Sequence, residues 1–145
     1  MATDRRAEAT WQGSLIEGSG RIDSTTSGVL AGQELTWKAR AEDSPGSTTS
    51  PEDLIAAAHA SCLGMALSHA LAQAGTPPEE IKTSATVTFQ PGEGITKIAL
   101  TIRGRVPGVD ADAFQAAAED AKANCPVSKA LAAVPVVTLE AELAA

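Results

Sequence analysis

The chemistry available to this chain centres on its two cysteines, Cys62 and Cys125. Cys62 lies in the middle of a run without charged residues from Leu54 to Gln73, and Cys125 directly precedes a proline. If the helical faces that carry them pack together, the two sulfurs come within bonding range. A reactive cysteine must be a thiolate at neutral pH, which requires nearby positive charge or a helix N-terminus. The structural alternative is a buried cysteine that serves as a small apolar side chain.

A cation for Cys62 has to come from another part of the chain, because a mid-helix position gains little from the helix dipole. Arginine suits this role best, since its guanidinium cannot be deprotonated in a protein. The candidates are Arg21, Arg40, Arg103 and Arg105. Alternation of apolar and polar residues puts Arg40 on the Lys38 face of a strand predicted over about 34–41, where a solvated charge is the simpler interpretation.

Glu52 is a further candidate, in the first turn of the predicted long helix. Its simplest role there is to complement the helix dipole. Glu52 precedes Cys62 by ten residues, which is about 15 Å along a helix axis. A joint site of Glu52 and Cys62 would therefore require two chains, arranged antiparallel about a two-fold axis.

Two alternatives without redox turnover remain open. His59 and Cys62 are spaced i, i+3 on one helical face, and Cys125 could supply a third ligand to a metal ion. The sequence has no CxxC or HExxH pattern, phosphate loop, GxSxG elbow or dinucleotide fingerprint, so no cofactor is predicted. The other alternative is a dimer that binds a small apolar ligand and performs no chemistry.

The 145-residue length indicates one domain over residues 1–145. The net charge of −7 and the lack of a Lys/Arg cluster argue against nucleic acid and anionic membranes as partners. No signal peptide is visible, and two cysteines without one indicate a cytoplasmic protein. Because alanine dominates the apolar residues, the core is expected to be thin and completed by dimerisation.

The elements are predicted from periodicity and from end signals. Ser50, Pro51 and Gly75 mark the ends of a long helix, and its lack of charge predicts a core helix of a soluble protein. The other predicted elements are a strand, turn and strand within 7–24, a strand at 34–41, a hairpin over 85–105 with its turn at 91–94, a helix capped by Asp110, a short helix opened by Pro126, and a strand at 135–142. Strands in runs indicate an α+β fold with mostly antiparallel sheet.

Four segments of the chain resemble one known family. They are SPEDLIAAAHASC (50–62), ITKIAL (95–100), VPGVDA (106–111) and NCPVSKAL (124–131). Together they are similar to the OsmC/Ohr family of organic hydroperoxide-reducing proteins, and to its OsmC branch in particular. The similarity covers nearly the whole chain in the right order and includes both cysteines.

The resemblance implies a fold and a set of site residues. The fold is an intertwined homodimer in which mostly antiparallel sheets wrap two central helices, with the active sites at the dimer interface. Cys62 matches the peroxidatic cysteine, Cys125 the resolving cysteine, Glu52 the motif glutamate and Arg40 the arginine of the OsmC branch. Arg21 lies near the place of the Ohr-branch arginine and is the reserve candidate.

The resemblance also implies a reaction, that of an antioxidant peroxidase of the stress response. The Cys62 thiolate would attack an organic hydroperoxide, become a sulfenic acid and then form a disulfide with Cys125. An external dithiol, with dihydrolipoyl groups favoured in the family, would restore both thiols.

Overall fold

The computed structural model describes residues 1–42 and 46–144, and the chain forms two compact units, Met1–Leu54 and Ile55–Ala145. The boundary between the units falls inside one helix, between Leu54 and Ile55. The single domain over residues 1–145 stays a prediction.

The first unit contains a small sheet and a short helix. Its elements are β1 (Ala7–Gln12), β2 (Ser19–Thr25), β3 (Glu34–Leu35), α1 (Trp37–Ala41) and β4 (Thr48–Thr49). The strands lie in the order β1-β2-β3-β4, with β1–β2 and β2–β3 antiparallel and β3–β4 parallel. The strand, turn and strand predicted within 7–24 are therefore confirmed.

The strand predicted over 34–41 is wrong beyond Leu35. Helix α1 begins at Trp37 instead, and the Thr36 hydroxyl accepts a hydrogen bond from the Ala39 N–H at 3.1 Å. The cap satisfies the Ala39 N–H locally, whereas in a strand this donor would need an acceptor on a neighbouring strand. The cap therefore favours a helix over the strand that the alternating pattern predicts. Arg40 consequently lies in the last turn of a helix, where a positive charge is favoured by the dipole, and not on a strand.

Helix α2 (Pro51–Gln73) has the ends that the sequence predicts. The Ser50 hydroxyl accepts a hydrogen bond from the Asp53 N–H at 3.1 Å, and Gly75 adopts a φ of +85°. The Thr76 N–H donates to the Leu71 carbonyl at 2.9 Å, which closes the C-terminus with the 6→1 bond of a Schellman motif.

The second unit contains the remainder of α2, a hairpin, two helices and a final strand. These elements are β5 (Glu80–Gln90), β6 (Gly94–Arg105), α3 (Ala111–Asn124), α4 (Pro126–Ala130) and β7 (Val136–Leu143). The strands lie in the order β5-β6-β7, with the β5–β6 hairpin antiparallel and β6–β7 parallel. The hairpin, the Asp110 cap of α3 and the start of α4 at Pro126 match the predictions.

The core of the second unit holds α2 and α3 against β6. Its buried residues are Leu63, Leu67, Leu71, Ile98, Leu100, Ile102, Val106, Phe114, Ala118 and Ala121. The absence of a side chain at Gly104 brings β6 close to α3, because a Cβ there would lie 2.6 Å from the Phe114 ring. This packing fixes the middle of α2 and the end of α3, the two places that carry the cysteines.

Helix α2 is buried along one face and exposed along another in the described part of the second unit. Leu63, Leu67 and Leu71 are buried on one face, but Met65 is 74% exposed. The helix is long and apolar enough to cross a membrane, and only 22% of its most apolar 18-residue segment is buried. An uncharged face of α2 around Met65 is therefore exposed in the described part of the second unit.

Candidate active site

Cys62 and Cys125 lie side by side in the second unit. Cys62 is in the middle of α2, and Cys125 joins α3 to α4, with its N–H donating to the Ala121 carbonyl at 2.8 Å. Both cysteines are free, and each affects the ionisation of the other. The two helical faces do pack together, and the structure brings together the two sulfurs that the sequence singled out.

Cys125 is the N-cap of α4, and the first turn of this helix affects the ionisation of its sulfur. Burial opposes ionisation of this fully buried thiol. Hydrogen bonds from the Cys62 side chain, the Ser128 N–H and hydroxyl, and the Val127 N–H outweigh that effect, and they hold the pKa of Cys125 below its ordinary value. A negative charge on the pair is therefore best accommodated at Cys125 within one chain.

Cys62 behaves in the opposite way. Burial and the hydrogen bond with Cys125 raise the pKa of the Cys62 thiol, and the Val127 N–H only partly offsets them. The sequence led us to expect ionisation at Cys62. The reason for the difference is that ionisation of one thiol disfavours ionisation of its neighbour, so the pair carries a single negative charge. The groups of α4 favour that charge on Cys125.

Arg40 and Glu52 form an ion pair within the first unit. The Arg40 Nε donates to Glu52 Oε1 at 2.7 Å and to Oε2 at 3.2 Å. The Glu52 side chain is 8% exposed and that of Arg40 is 35% exposed. The buried carboxylate thus fixes a guanidinium that remains partly open to solvent. The expected pair is present, although Arg40 reaches it from helix α1.

The other candidate arginines make exposed ion pairs. Arg21 lies on β2, and its Nε is 2.8 Å from Asp23 Oδ1, with 66% of its side chain exposed. A hydrogen bond from the Thr10 hydroxyl, and then that from Arg21, lowers the pKa of Asp23. On the other sheet, Arg103 pairs with Glu142 and Arg105 with Glu79. Burial of its partner distinguishes Arg40 from these three arginines.

His59 is hydrogen-bonded to Ser128, whereas the metal hypothesis required it to act as a ligand together with Cys62 and Cys125. Its ring is fully buried in α2, and Nε2 lies 2.8 Å from the Ser128 hydroxyl of α4. Burial lowers the pKa of His59 below its ordinary value, so the neutral ring is favoured. Sequence reasoning missed Ser128, although it lies in the NCPVSKAL segment, because its partner is 69 positions away.

The metal hypothesis built on His59, Cys62 and Cys125 gains no support. In residues 1–42 and 46–144 no three or more His, Cys, Asp or Glu side chains are grouped so that they could hold a metal ion. The donors around the sulfurs are mainly N–H and O–H groups, which stabilise a thiolate directly.

Comparison with known proteins gives a consistent result. The family model described as OsmC-like protein matches residues 44–140. The chain is 43% identical over 146 residues to peroxiredoxin OsmC of Escherichia coli (strain K12), covering 99% of each chain.

Solved structures share the fold. The organic hydroperoxide resistance protein OhrB of Bacillus subtilis is 25% identical and superimposes with a TM-score of 0.59, covering 96% of this chain and 98% of its own. An organic hydroperoxide resistance protein OsmC of Legionella pneumophila, at 21% identity, has a TM-score of 0.61 and covers 97% of both chains.

Proposed function

Since this chain belongs to the OsmC family, we propose that it is a thiol-dependent peroxidase that reduces organic hydroperoxides to alcohols. The observation that carries this proposal is the pair of neighbouring free thiols, Cys62 and Cys125. A single thiol can reduce a peroxide but is left as a sulfenic acid, whereas a second thiol beside it allows the pair to end as a disulfide that a dithiol can reduce.

In the first step, the Cys62 thiolate attacks the distal oxygen of the hydroperoxide. The O–O bond breaks, Cys62 becomes a sulfenic acid, and the leaving alkoxide takes up a proton to give the alcohol. Cys62 suits this role because it is partly exposed, whereas Cys125 is fully buried. An incoming peroxide therefore meets Cys62 first.

The positive charge that stabilises the Cys62 thiolate is assigned to Arg40 of a second copy, where Glu52 holds the guanidinium. Glu52 and Cys62 are ten residues apart on the same helix, about 15 Å along its axis. The same carboxylate cannot therefore serve the thiol of its own helix. An antiparallel partner would supply a guanidinium that lowers the Cys62 pKa and stabilises negative charge as the O–O bond breaks.

A homodimer is also supported by the uncovered face of α2. Met65 is 74% exposed in the middle of a helix that has no charged residue from Leu54 to Gln73. Covering this face with the same face of a second copy removes apolar surface from water. The resulting apolar surroundings favour a hydroperoxide with an organic tail over hydrogen peroxide.

The cycle closes in two steps. Cys125 condenses with the Cys62 sulfenic acid to form a disulfide, and an external dithiol reduces it by thiol–disulfide exchange. We assign a dihydrolipoyl group to the reductant role, as expected for the family. A reducing cytoplasm, the predicted location, keeps both thiols free between turnovers.

The proposal is tested by titrating the reduced protein with cumene hydroperoxide while free thiols are counted. We expect both thiols to be lost with one equivalent of peroxide, and mass spectrometry to identify a Cys62–Cys125 disulfide. The Cys62→Ser variant is the matched control and should consume no peroxide. Peroxide consumption by that variant at the wild-type rate would overturn the proposal.

A further inference from the structure

His59 is a buried titratable side chain that the peroxidase cycle above does not use. Its Nε2 lies 2.8 Å from the hydroxyl of Ser128, which belongs to the first turn of α4. Cys125 is the N-cap of that helix, three residues before Ser128, and Ser128 is among the groups that lower the Cys125 pKa. The ring in α2 therefore holds in place a hydroxyl that lies close to the residue carrying the sulfur.

The position of the ring proton follows from the surroundings of His59. Nδ1 is buried and has no hydrogen-bond partner among residues 1–42 and 46–144. A proton on Nδ1 would be a buried donor without an acceptor, whereas a proton on Nε2 has the Ser128 oxygen in front of it. A doubly protonated ring would add a buried charge. The neutral ring with its proton on Nε2 satisfies the most groups.

This tautomer determines the direction of the next hydrogen bond. Because the Ser128 oxygen accepts from His59, its own hydrogen is free to donate to the Cys125 sulfur. We propose that His59 is a positioning residue for disulfide formation: its Nε2–H fixes the Ser128 hydroxyl as a donor to the Cys125 thiolate. The inference rests on the proposed peroxidase cycle and deepens its second half.

The step that His59 supports is the attack of Cys125 on oxidised Cys62. The Cys125 thiolate forms an S–S bond with the Cys62 sulfur, and the S–O bond of the sulfenic acid breaks. The departing hydroxide combines with the proton released by the Cys125 thiol and leaves as water. Cys125 is oxidised, the Cys62 sulfenic sulfur is reduced, and no further oxidant is needed.

Other charged groups lie close to His59 and Ser128. A depression of about 360 Å³ is lined by His59 and Ser128 together with Glu119, Lys122 and Lys129. Cys62 approaches the same sulfur from α2. These groups also affect the pH dependence of Cys125, so the test compares His59 variants in which all of them are unchanged.

The experiment mixes reduced protein with one equivalent of cumene hydroperoxide and quenches it at successive times. Dimedone trapping and mass spectrometry then follow Cys62 oxidation and disulfide formation separately, over a series of pH values. His59→Leu should not slow Cys62 oxidation, but it should slow disulfide formation about tenfold and move the midpoint of its pH profile upward. His59→Gln, whose amide can donate to Ser128, should restore the wild-type rate.

Two further variants separate positioning from a general loss of packing. Ser128→Ala should slow disulfide formation as His59→Leu does, and the double variant should be no slower than either single one. Thr83→Val removes a different hydrogen bond to α2, from the Thr83 hydroxyl to the Ala60 carbonyl at 2.7 Å, and should leave the rate unchanged. A wild-type rate and pH profile in His59→Leu, or equal slowing in Thr83→Val, would overturn the proposal.

A measurement without peroxide tests the effect of His59 on the Cys125 pKa directly. In the Cys62→Ser background, ultraviolet absorbance of the thiolate reports the pKa of Cys125, which His59→Leu should raise and His59→Gln should not. If His59→Leu does not fold, the same comparison is made between Ser128→Ala and His59→Gln, and equal pKa values there would contradict the proposal. A wild-type protein that leaves Cys62 unoxidised would instead refute the proposed function.

Discussion

The Arg40 Nε donates a hydrogen bond to Glu52 Oε1 at 2.7 Å, which joins the last turn of α1 to the first turn of α2. Glu52 is almost fully buried, whereas about a third of the Arg40 side chain is open to solvent. The buried carboxylate fixes the position of the guanidinium through charge-assisted hydrogen bonds. In the proposed peroxidase this guanidinium stabilises the ionised Cys62 of the other copy.

Replacing Arg40 should affect both rate and stability. Arg40→Ala is expected to slow Cys62 oxidation by about 10²-fold or more, because the developing negative charge loses its cation. It should also lower the free energy of unfolding by about 1–3 kcal/mol, since Glu52 is left unpaired. Adding Glu52→Gln should recover stability but not the rate. Stopped-flow oxidation and urea unfolding measure the two effects.

Arg21 provides the comparison for this prediction. Arg21→Ala removes an exposed cation that pairs with Asp23, and we expect an unchanged oxidation rate. An inactive Arg21→Ala protein together with an unaffected Arg40→Ala protein would transfer the catalytic role to Arg21.

The two cysteines should be distinguishable by single substitutions. Cys62→Ser is expected to abolish peroxide reduction, because its hydroxyl is a poor nucleophile at neutral pH. Cys125→Ser should reduce one equivalent of peroxide and then accumulate the sulfenic acid, since no second thiol can resolve it. Turnover assays with a dithiol and dimedone trapping separate these outcomes. Continued turnover by Cys125→Ser would show that the disulfide is not required.

Met65 should report on dimer formation. A charged side chain at this exposed, apolar position would be buried in the proposed interface, so Met65→Glu is expected to shift the protein toward monomer. It should also slow Cys62 oxidation, because the Arg40 of the other copy is lost. Sedimentation velocity across a concentration series measures the change. A monomeric wild-type protein with full activity would contradict the two-chain site.

Gly104 should tolerate no side chain. Gly104→Ala places a Cβ 2.6 Å from the Phe114 ring, so β6 and α3 must separate, at a cost of about 1–3 kcal/mol. Gly46→Ala is the matched control, because no atom of residues 1–42 and 46–144 lies within 4 Å of an added Cβ there. Chemical denaturation of both variants gives the comparison. Equal stability would indicate that the core of the second unit relaxes without loss.

His59 should make stability depend on pH. Burial lowers its pKa, so as the pH falls through 6.5 the unfolded chain binds a proton that the folded ring does not. Stability is then lost toward acid, by up to about 1.4 kcal/mol per pH unit for this one group. His59→Gln should flatten that slope between about pH 5.5 and pH 7 in urea unfolding. Identical slopes in the two proteins would contradict the assignment.

Local sequence signals determined most of the elements of this fold. Ser50, Pro51 and Gly75 mark helix α2, and Asp110 caps α3, since caps and turns depend on residues only a few positions apart. The same logic failed at Trp37–Ala41. There an alternating pattern predicted a strand, but the Thr36 cap stabilises a helix.

The sequence by itself also identified the residues that could do chemistry: residue type pointed to Cys62 and Cys125, and the family resemblance selected Arg40 from four candidate arginines and paired it with Glu52. Only the tertiary structure decided that the two thiols are neighbours, that the charge favours Cys125, and that His59 meets Ser128. These relationships depend on the packing of α2 against α3 and α4. Contacts between residues so distant in sequence follow from burying the core as a whole, which no local pattern encodes.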